Sequence, residues 1–188
     1  KPLAKIAKDN NVKCFFGDPD DVLIRMYDAA NKYNLDYILT ITADSPFVDP
    51  VYADAIVETY QKTKADLIRQ FDLPHGVFSY GIKVKALQKV IEIKDTSDTE
   101  VWGRYFTDTG IFNVVDFEVI NKFHKRPGMR MTLDYPEDLK FFEVIFEALY
   151  KENHVFSLDE ILSFLDANPD VVNINKLCEQ KFLKKFKN

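Results

Sequence analysis

Two aspartates at the ends of apolar segments are the residues best placed to do chemistry in this sequence. Asp44 follows the apolar and β-branched segment 37–42, and Asp134 follows segment 129–133. Each segment predicts a strand, so each carboxylate is expected at a carboxyl end, where open α/β sheets bind ligands. Two such carboxylates could hold Mg²⁺ against the phosphates of a nucleotide, because Mg²⁺ prefers oxygen ligands and keeps several waters.

The same two aspartates also suit a structural role. Segment 134–137 has the form of a helix N-cap with a capping-box partner at Glu137, and segment 44–46 has the form of an Asx turn. On spacing alone, capping is the favoured interpretation and metal binding is the alternative.

Other common chemistries find no support in the pattern. There is neither a P-loop nor a dinucleotide-binding fingerprint. His75, His124 and His154 stand alone in the sequence, so surface histidines are favoured over a zinc-protease or Ser-His-Asp site. Cys14 and Cys178 lie far apart. They predict no zinc site or disulfide framework, and a cytoplasmic location is expected.

Length and charge limit the class of protein further. The 188 residues fit a single domain over 1–188, with 46% hydrophobic and 29% charged residues. The net charge is −5, without the basic excess that is typical of nucleic-acid-binding domains. The apolar runs are too short to predict a membrane span. We therefore expect neither a nucleic-acid partner nor a membrane span.

Helices and strands alternate along the chain and would position these residues. Asp18 is predicted as the N-cap of a helix with Pro19 in its first turn, and Ser157 with Glu160 predicts a capping box. Helices are predicted at 2–10, 18–30, 49–62, 85–91, 137–150 and 157–168, and strands at 12–16, 37–42, 65–69, 78–84, 110–115 and 129–133. This alternation predicts an α/β fold with a mainly parallel sheet and helices on both faces.

Three segments, taken together and in order, resemble one enzyme family. Segments 17–25, 41–50 and 132–139 are similar to the cytidylyltransferases that include CMP-Kdo and CMP-sialate synthetases, and most similar to the spore-coat-polysaccharide type. The similarity covers most of the chain, including 74–76 and the helix that begins near Ser157. The resemblance implies a Rossmann-like nucleotidyltransferase fold, with CTP as substrate and Mg²⁺ as cofactor.

The resemblance also implies a reaction. A sugar or sugar-acid oxygen attacks the α-phosphorus of CTP, CMP is transferred and pyrophosphate leaves. Alternatively, the chain is a non-catalytic or glycosyltransferase-like relative that binds a nucleotide sugar on the same fold. Relatives of this type pair through their middle region, so a homodimer with segment 78–84 at or near the contact is expected.

Particular residues take roles from the resemblance. Asp44 and Asp134 match the catalytic, metal-holding aspartates, against the capping interpretation that spacing alone favours. The remaining candidates are nucleotide-binding residues and acceptor-binding residues by position: Asp21, Arg25 and Ser45 in the first group, and Gly76, Tyr80 and Glu100 in the second.

The sequence departs from the family pattern in three places. The family begins with a strand and an Arg- and Lys-bearing loop that grips the triphosphate, whereas Lys1 comes after that element would end, so we expect a fragment or a divergent relative. Thr40 stands where arginine is expected, and no histidine follows Glu100.

Overall fold

The computed structural model describes residues 2–185. In chain order its elements are α1 (Pro2–Asp9), α2 (Val22–Lys32), β1 (Tyr37–Thr40), α3 (Pro50–Thr63), β2 (Leu67–Arg69), β3 (Tyr80–Lys83), α4 (Val84–Ile93), α5 (Arg104–Thr107), β4 (Val114–Asp116), a 3-10 turn (Lys122–His124), α6 (Pro136–Leu149), α7 (Leu158–Ala167), α8 (Pro169–Asn173) and α9 (Cys178–Lys185). This mixture confirms the α/β class.

The strands form a four-stranded sheet in the order β1-β3-β2-β4. Strand β3 therefore has a hydrogen-bonded neighbour on each side. The homodimer stays a prediction, but it cannot form by adding a strand from a second copy to the backbone of β3, because the hydrogen-bonding groups along that strand are already paired.

The chain divides into two compact units, and the division falls within the strands. Unit 1 comprises residues 1–38, 65–67 and 82–114, and unit 2 comprises residues 39–64, 68–81 and 115–188. Asp44 and Asp134 both belong to unit 2, whereas Asp21, Arg25 and Glu100 belong to unit 1. The single domain over 1–188 stays a prediction.

Each unit has apolar interior residues of its own. In unit 1, α2 packs on α4, and Leu23 and Leu87 are fully buried. In unit 2 the core is a cluster of aliphatic and aromatic side chains from α6, α7 and the segments between strands, including Phe47, Phe141 and Leu162. Burying such a side chain contributes roughly 1.5–3 kcal/mol each.

Two predicted strands are wrong. Segment 12–16 has no regular structure, and Val12 and Phe16 are 62% and 61% exposed, so no neighbouring strand covers them. Segment 129–133 forms only an isolated parallel bridge between Arg130 and His75. The strand predicted at 110–115 is reduced to its end, β4.

The capping pattern is partly confirmed. Asp49 caps α3 by accepting from the Val51 N–H at 2.7 Å, and Ser157 caps α7 as predicted. The prediction for Asp18 is wrong because α2 begins later, at Val22, with Asp21 as its N-cap. Asp18 instead accepts from the N–H groups of Asp20 and Asp21, at 2.9 and 2.8 Å, in the turn before the helix.

His124 corrects the interpretation of the histidines as surface residues. It is 8% exposed, and its Nδ1 lies 2.7 Å from the Tyr52 hydroxyl. Burial raises the pKa of that hydroxyl to about 12.

Over residues 2–185, no helix is both long enough and apolar enough to cross a membrane.

Candidate active site

The two motif aspartates lie on neighbouring segments of backbone. The N–H of Leu133, the residue before Asp134, donates to the carbonyl of Asp44 at 2.8 Å. Beyond β1 the chain turns at Ser45, whose N–H donates to the Thr42 carbonyl at 3.2 Å. The Ser45 hydroxyl donates to the Asp44 carboxylate at 3.3 Å and lies 3.1 Å from the Thr42 hydroxyl. The fold therefore brings together two motifs that are distant from each other in the sequence.

Asp134 does not cap the helix that follows it. The N-cap of α6 is Tyr135, and the carboxylate of Asp138 accepts from the N–H groups of Asp134 and Tyr135, both at 3.0 Å. Glu137, the predicted capping-box partner, instead pairs with Lys181 at 2.7 Å. The capping interpretation of Asp134 is therefore wrong, since Tyr135 occupies the N-cap position and Asp138 satisfies the two N–H groups that directly precede the helix.

Arg130 is the central cation of this site. It is 3% exposed, and its Nε and Nη2 donate to the two oxygens of Asp138 at 3.0 and 3.1 Å. Nη1 donates to Glu179 at 2.9 Å, and Nη2 also bonds the Asp134 carboxylate. Asn175 donates to the Arg130 carbonyl at 3.2 Å and to Asp138 at 2.9 Å.

The buried carboxyl of Asp138 is held in its charged form. Desolvation acts to raise its pKa, but hydrogen bonds from the Arg130 guanidinium, the Asp134 N–H and the Asn175 amide outweigh burial and lower it overall. A buried charge is tolerable only when it is paired and hydrogen-bonded. The side chain of Asp138 is 0% exposed, whereas that of Asp134 is 31% exposed. Of these two carboxylates, Asp134 is the one that a ligand can reach.

Gly76 is required by close backbone packing. The His75 N–H donates to the Met129 carbonyl at 2.8 Å, and the Met131 N–H donates to the His75 carbonyl at 2.7 Å. Gly76 has a φ of +93°, and a Cβ there would lie 2.2 Å from the Met131 oxygen. Only glycine allows this turn to contact the segment that leads to Asp134.

The predicted nucleotide-binding residues of unit 1 are engaged in local contacts. Asp21 is 1% exposed and accepts from the Ile24 N–H at 3.2 Å, the Thr99 hydroxyl at 2.9 Å and the Lys94 ammonium. Arg25 donates to the Asp18 carbonyl at 2.7 Å. A contact between Asp21 and a nucleotide would require its carboxylate to leave these partners.

The predicted acceptor residues lie in different surroundings. Tyr80, on β3, is partly buried, and its ring lies 5.1 Å from that of Phe78 in an edge-on arrangement. Burial raises the pKa of the Tyr80 hydroxyl. Glu100 is exposed in the loop between α4 and α5 of unit 1. Segment 129–134, which ends at Asp134, contacts the backbone of Asp44 and of the turn at Gly76. Glu100 belongs to the other unit.

Two important residues were not predicted from the sequence: Asp138 and Glu179. Arg130 is marked in the sequence as a cation close to the motifs, and as a charge inside a segment predicted to be a strand it needs a partner. Asp138 follows it by eight positions, across the start of α6. No local pattern pointed to Glu179, since its sequence separation from Arg130 is 49 residues.

Asp44 and Asp134 both carry carboxylate oxygens, which are the type of ligand that Mg²⁺ prefers. Among the side chains that the structure describes, no group of three or more His, Cys, Asp and Glu could hold a metal ion. An all-protein metal cage is therefore not present there. Two carboxylates, from Asp44 and Asp134, would suit Mg²⁺, which often binds one or two carboxylates together with waters and substrate phosphates.

Comparison with known proteins gives concordant results. A protein of Methanocaldococcus jannaschii without assigned function is 30% identical over 183 residues, which are 95% of this chain and 73% of that protein. The Bacillus subtilis spore coat polysaccharide biosynthesis protein SpsF is 22% identical over 161 residues, 84% of this chain and 66% of SpsF. A solved cytidylyltransferase structure from Leptospira borgpetersenii matches with a TM-score of 0.79 at 22% identity, covering 91% of this chain and 73% of that one.

The structural match shows a Rossmann-like nucleotidyltransferase fold. The sequence profile of the cytidylyltransferases matches residues 3–162, a range that includes Asp44, Gly76, Arg130, Asp134 and Asp138. The resemblance noted from the three motifs is thereby confirmed, and the chain belongs to the cytidylyltransferase family.

Proposed function

We propose that the protein transfers CMP from CTP to an oxygen of a sugar or sugar acid and releases pyrophosphate. The observation that carries this proposal is the 2.8 Å hydrogen bond from the Leu133 N–H to the Asp44 carbonyl, which brings the two motif aspartates onto adjacent backbone. A carbohydrate acceptor is supported by the similarity to SpsF, a polysaccharide biosynthesis protein.

Asp44 and Asp134 are the residues that would hold Mg²⁺. When bound, the ion would supply Lewis-acid polarisation of a phosphoryl oxygen and neutralisation of the triphosphate charge. Because each oxygen of Asp138 is already occupied by Arg130 and by backbone or Asn175 donors, Asp138 is not a ligand in this proposal.

The remaining contribution of the chain is alignment. Phosphoryl and nucleotidyl transfers depend mostly on holding the attacking and leaving groups in place and on fixed charges around them. The Leu133–Asp44 hydrogen bond fixes one carboxylate-bearing segment against the other, and Asp138 fixes the amide groups of Asp134 and Tyr135. The hydroxyl of Ser45 orients the Asp44 carboxylate.

The test is release of pyrophosphate by the intact protein with CTP, Mg²⁺ and a panel of sugars and sugar acids. We expect release that depends on the acceptor and falls when UTP or ATP replaces CTP. Asp44→Ala should lower turnover roughly 100-fold or more, as losses of one preorganised electrostatic group do. Tight binding of a CMP-sugar without pyrophosphate release from any acceptor would instead favour the glycosyltransferase-like alternative.

A further inference from the structure

We propose that helix α9 is part of the active site and that Glu179 is a positioning residue, which acts through Arg130 on the carboxylate of Asp134. This inference rests on the proposed function, in which Asp134 holds the cation. Helix α9 lies outside the segment 3–162 that matches the family profile. The proposal therefore gives a role in the site to a part of the chain that the family match does not include.

The first step is the fixed orientation of Arg130. Asp138 binds its Nε and Nη2 from one side, at 3.0 and 3.1 Å, in a two-pronged contact. Glu179 accepts from Nη1 at 2.9 Å. A planar guanidinium held by two carboxylates has little freedom left. Its Nη2 therefore presents a fixed donor to the third carboxylate, that of Asp134.

The second step is the charge balance. One guanidinium is shared by three carboxylates, and its own side chain is only 2% exposed. Because Asp138 and Glu179 take up much of the guanidinium charge, Asp134 keeps negative character that an incoming cation can use. Removing the charge of Glu179 would leave Arg130 pairing more strongly with Asp134 and competing with that cation.

The third step is the attachment of α9 itself. Glu179 contacts two parts of the site, since it accepts from Arg130 and lies 3.1 Å from Nδ1 of His75, next to Gly76. The ring of Phe182 lies 5.4 Å from the Arg130 guanidinium, within cation–π range. Lys181 forms a separate contact with Glu137 at 2.7 Å, on the exposed side.

These contacts provide a matched pair of variants on one helix. Glu179→Gln keeps an oxygen acceptor for Arg130 but removes its charge. Lys181→Ala removes another polar contact of α9 and leaves Arg130 untouched. Arg130→Ala is less useful, because it would leave the buried carboxylate of Asp138 without its cation and could prevent folding.

The experiment is Mn²⁺ binding to the intact protein, measured by electron paramagnetic resonance of the free ion. Groups behind a metal ligand typically change metal affinity by about 10–100-fold. We expect Glu179→Gln to raise the Kd for Mn²⁺ about tenfold, at the low end of that range, and Lys181→Ala to leave it unchanged. The Mg²⁺ concentration for half-maximal turnover should shift in parallel, with kcat at saturating Mg²⁺ close to that of the wild type.

Two results would overturn the role of Glu179: wild-type Mn²⁺ affinity in Glu179→Gln, or equal weakening in Glu179→Gln and Lys181→Ala, which would indicate only general attachment of α9. Asp134→Ala distinguishes a failure of the proposed cation site from a failure of the proposed role of Glu179. If it binds Mn²⁺ like the wild type, the cation site itself is wrong and this inference falls with it. If it abolishes binding while Glu179→Gln does not weaken it, only the inference fails.

Discussion

Asp21 and Asp134 occupy similar positions in the sequence but differ in their burial and in their hydrogen bonds. Asp21 directly precedes α2, and Asp134 lies two residues before α6. Asp21 caps its helix, is 1% exposed and bonds Lys94 and Thr99. The N–H of Asp134 donates to the carboxylate of Asp138, and the side chain of Asp134 is 31% exposed. The carboxylate of Asp134 therefore lacks the capping contact that holds Asp21, although it pairs with Arg130.

The two expectations had different origins, because spacing alone favoured Asp134 as a cap, whereas the resemblance implied that Asp21 lies near the nucleotide. Asp21 was expected near the nucleotide and serves as a helix cap, whereas Asp134 was expected first as a cap and has a carboxylate that reaches solvent. The difference arises from a residue four positions further on. Asp138 can accept from the N–H groups of Asp134 and Tyr135 because Arg130 and Asn175 stabilise its charge in the interior.

The largest effect is expected at Asp134, where a substitution should lower turnover far more than it lowers stability. We predict that Asp134→Ala lowers turnover roughly 1,000-fold, as loss of a preorganised charged group can do. The free energy of unfolding should fall by no more than about 2 kcal/mol, because the residue does not cap α6 and because Arg130 keeps Asp138 and Glu179 as partners when it loses Asp134. Pyrophosphate release and urea unfolding measure the two quantities. Retained turnover with a loss of stability would restore the capping interpretation.

The second prediction concerns Asp21, where stability should change. Asp21→Ala leaves Lys94 without its carboxylate in a site where the two side chains are 2% and 11% exposed. Breaking a buried pair in this way costs about 3–5 kcal/mol, and loss of the N-cap contributes to it. Urea unfolding at neutral pH gives the measurement.

Asp21→Asn is the matched control, because it keeps a capping oxygen but loses the charge. It should be less destabilising than Asp21→Ala. A wild-type unfolding curve for Asp21→Ala, combined with a raised KM for CTP, would contradict the structural role and support a direct contact between Asp21 and the nucleotide.

Sequence patterns identified the elements whose signals are local. The helices that begin near Asp49 and Ser157 have their caps within three residues, and both were predicted correctly. Segment 129–133 was misassigned because its apolar residues suit a strand, yet it pairs with the chain at a single bridge. Apolar character indicates burial and does not by itself indicate ladder pairing.

The site was only partly predictable for the same reason. Asp44 and Asp134 came from short motifs, and both were expected at the ends of strands on one edge of the sheet. The structure brings their backbone segments together even though one of the two strands does not form. The cluster of side chains around Asp134 includes Arg130, Asn175 and Glu179. Glu179 is distant in sequence, so only the folded chain shows its contact.

The third prediction tests the turn that contacts segment 129–134. Gly76→Ala adds a Cβ at a φ of +93°, where it would lie 2.2 Å from the Met131 oxygen. We expect a loss of about 3 kcal/mol in the free energy of unfolding, at the upper end for backbone strain. Turnover should also fall, because the segment that carries Asp134 must move.

Gly110→Ala controls for the backbone conformation alone. Gly110 has a φ of +70° but nothing within 4 Å of an added Cβ. Its substitution should cost about 1 kcal/mol through the left-handed backbone and leave turnover unchanged. Equal losses at the two glycines would show that the close approach to Met131 relaxes without cost.

The smallest effect is expected at the start of α7, where the exposed carboxylate of Glu160 bonds the N-cap residue Ser157. Glu160 of α7 accepts from the Ser157 N–H at 2.8 Å and lies 2.9 Å from Nε2 of His154. These contacts lower the pKa of Glu160 from its ordinary 4.5 to about 2, with the Ser157 N–H as the largest cause. This carboxylate therefore resembles Asp138 in function, but without burial.

A folded-state pKa below the unfolded value means that the charged form favours folding. The stabilisation by Glu160 should be complete above about pH 4.5 and disappear as the pH falls towards 2. Glu160→Gln removes the charge, so we expect the difference in unfolding free energy between wild type and variant to shrink across that window. Urea unfolding at several pH values tests this, with Glu147→Gln at an exposed position of α6 as the control for the charge change. A difference that stays constant down to pH 2 would mean that the hydrogen bonds, and not the charge, stabilise the start of α7.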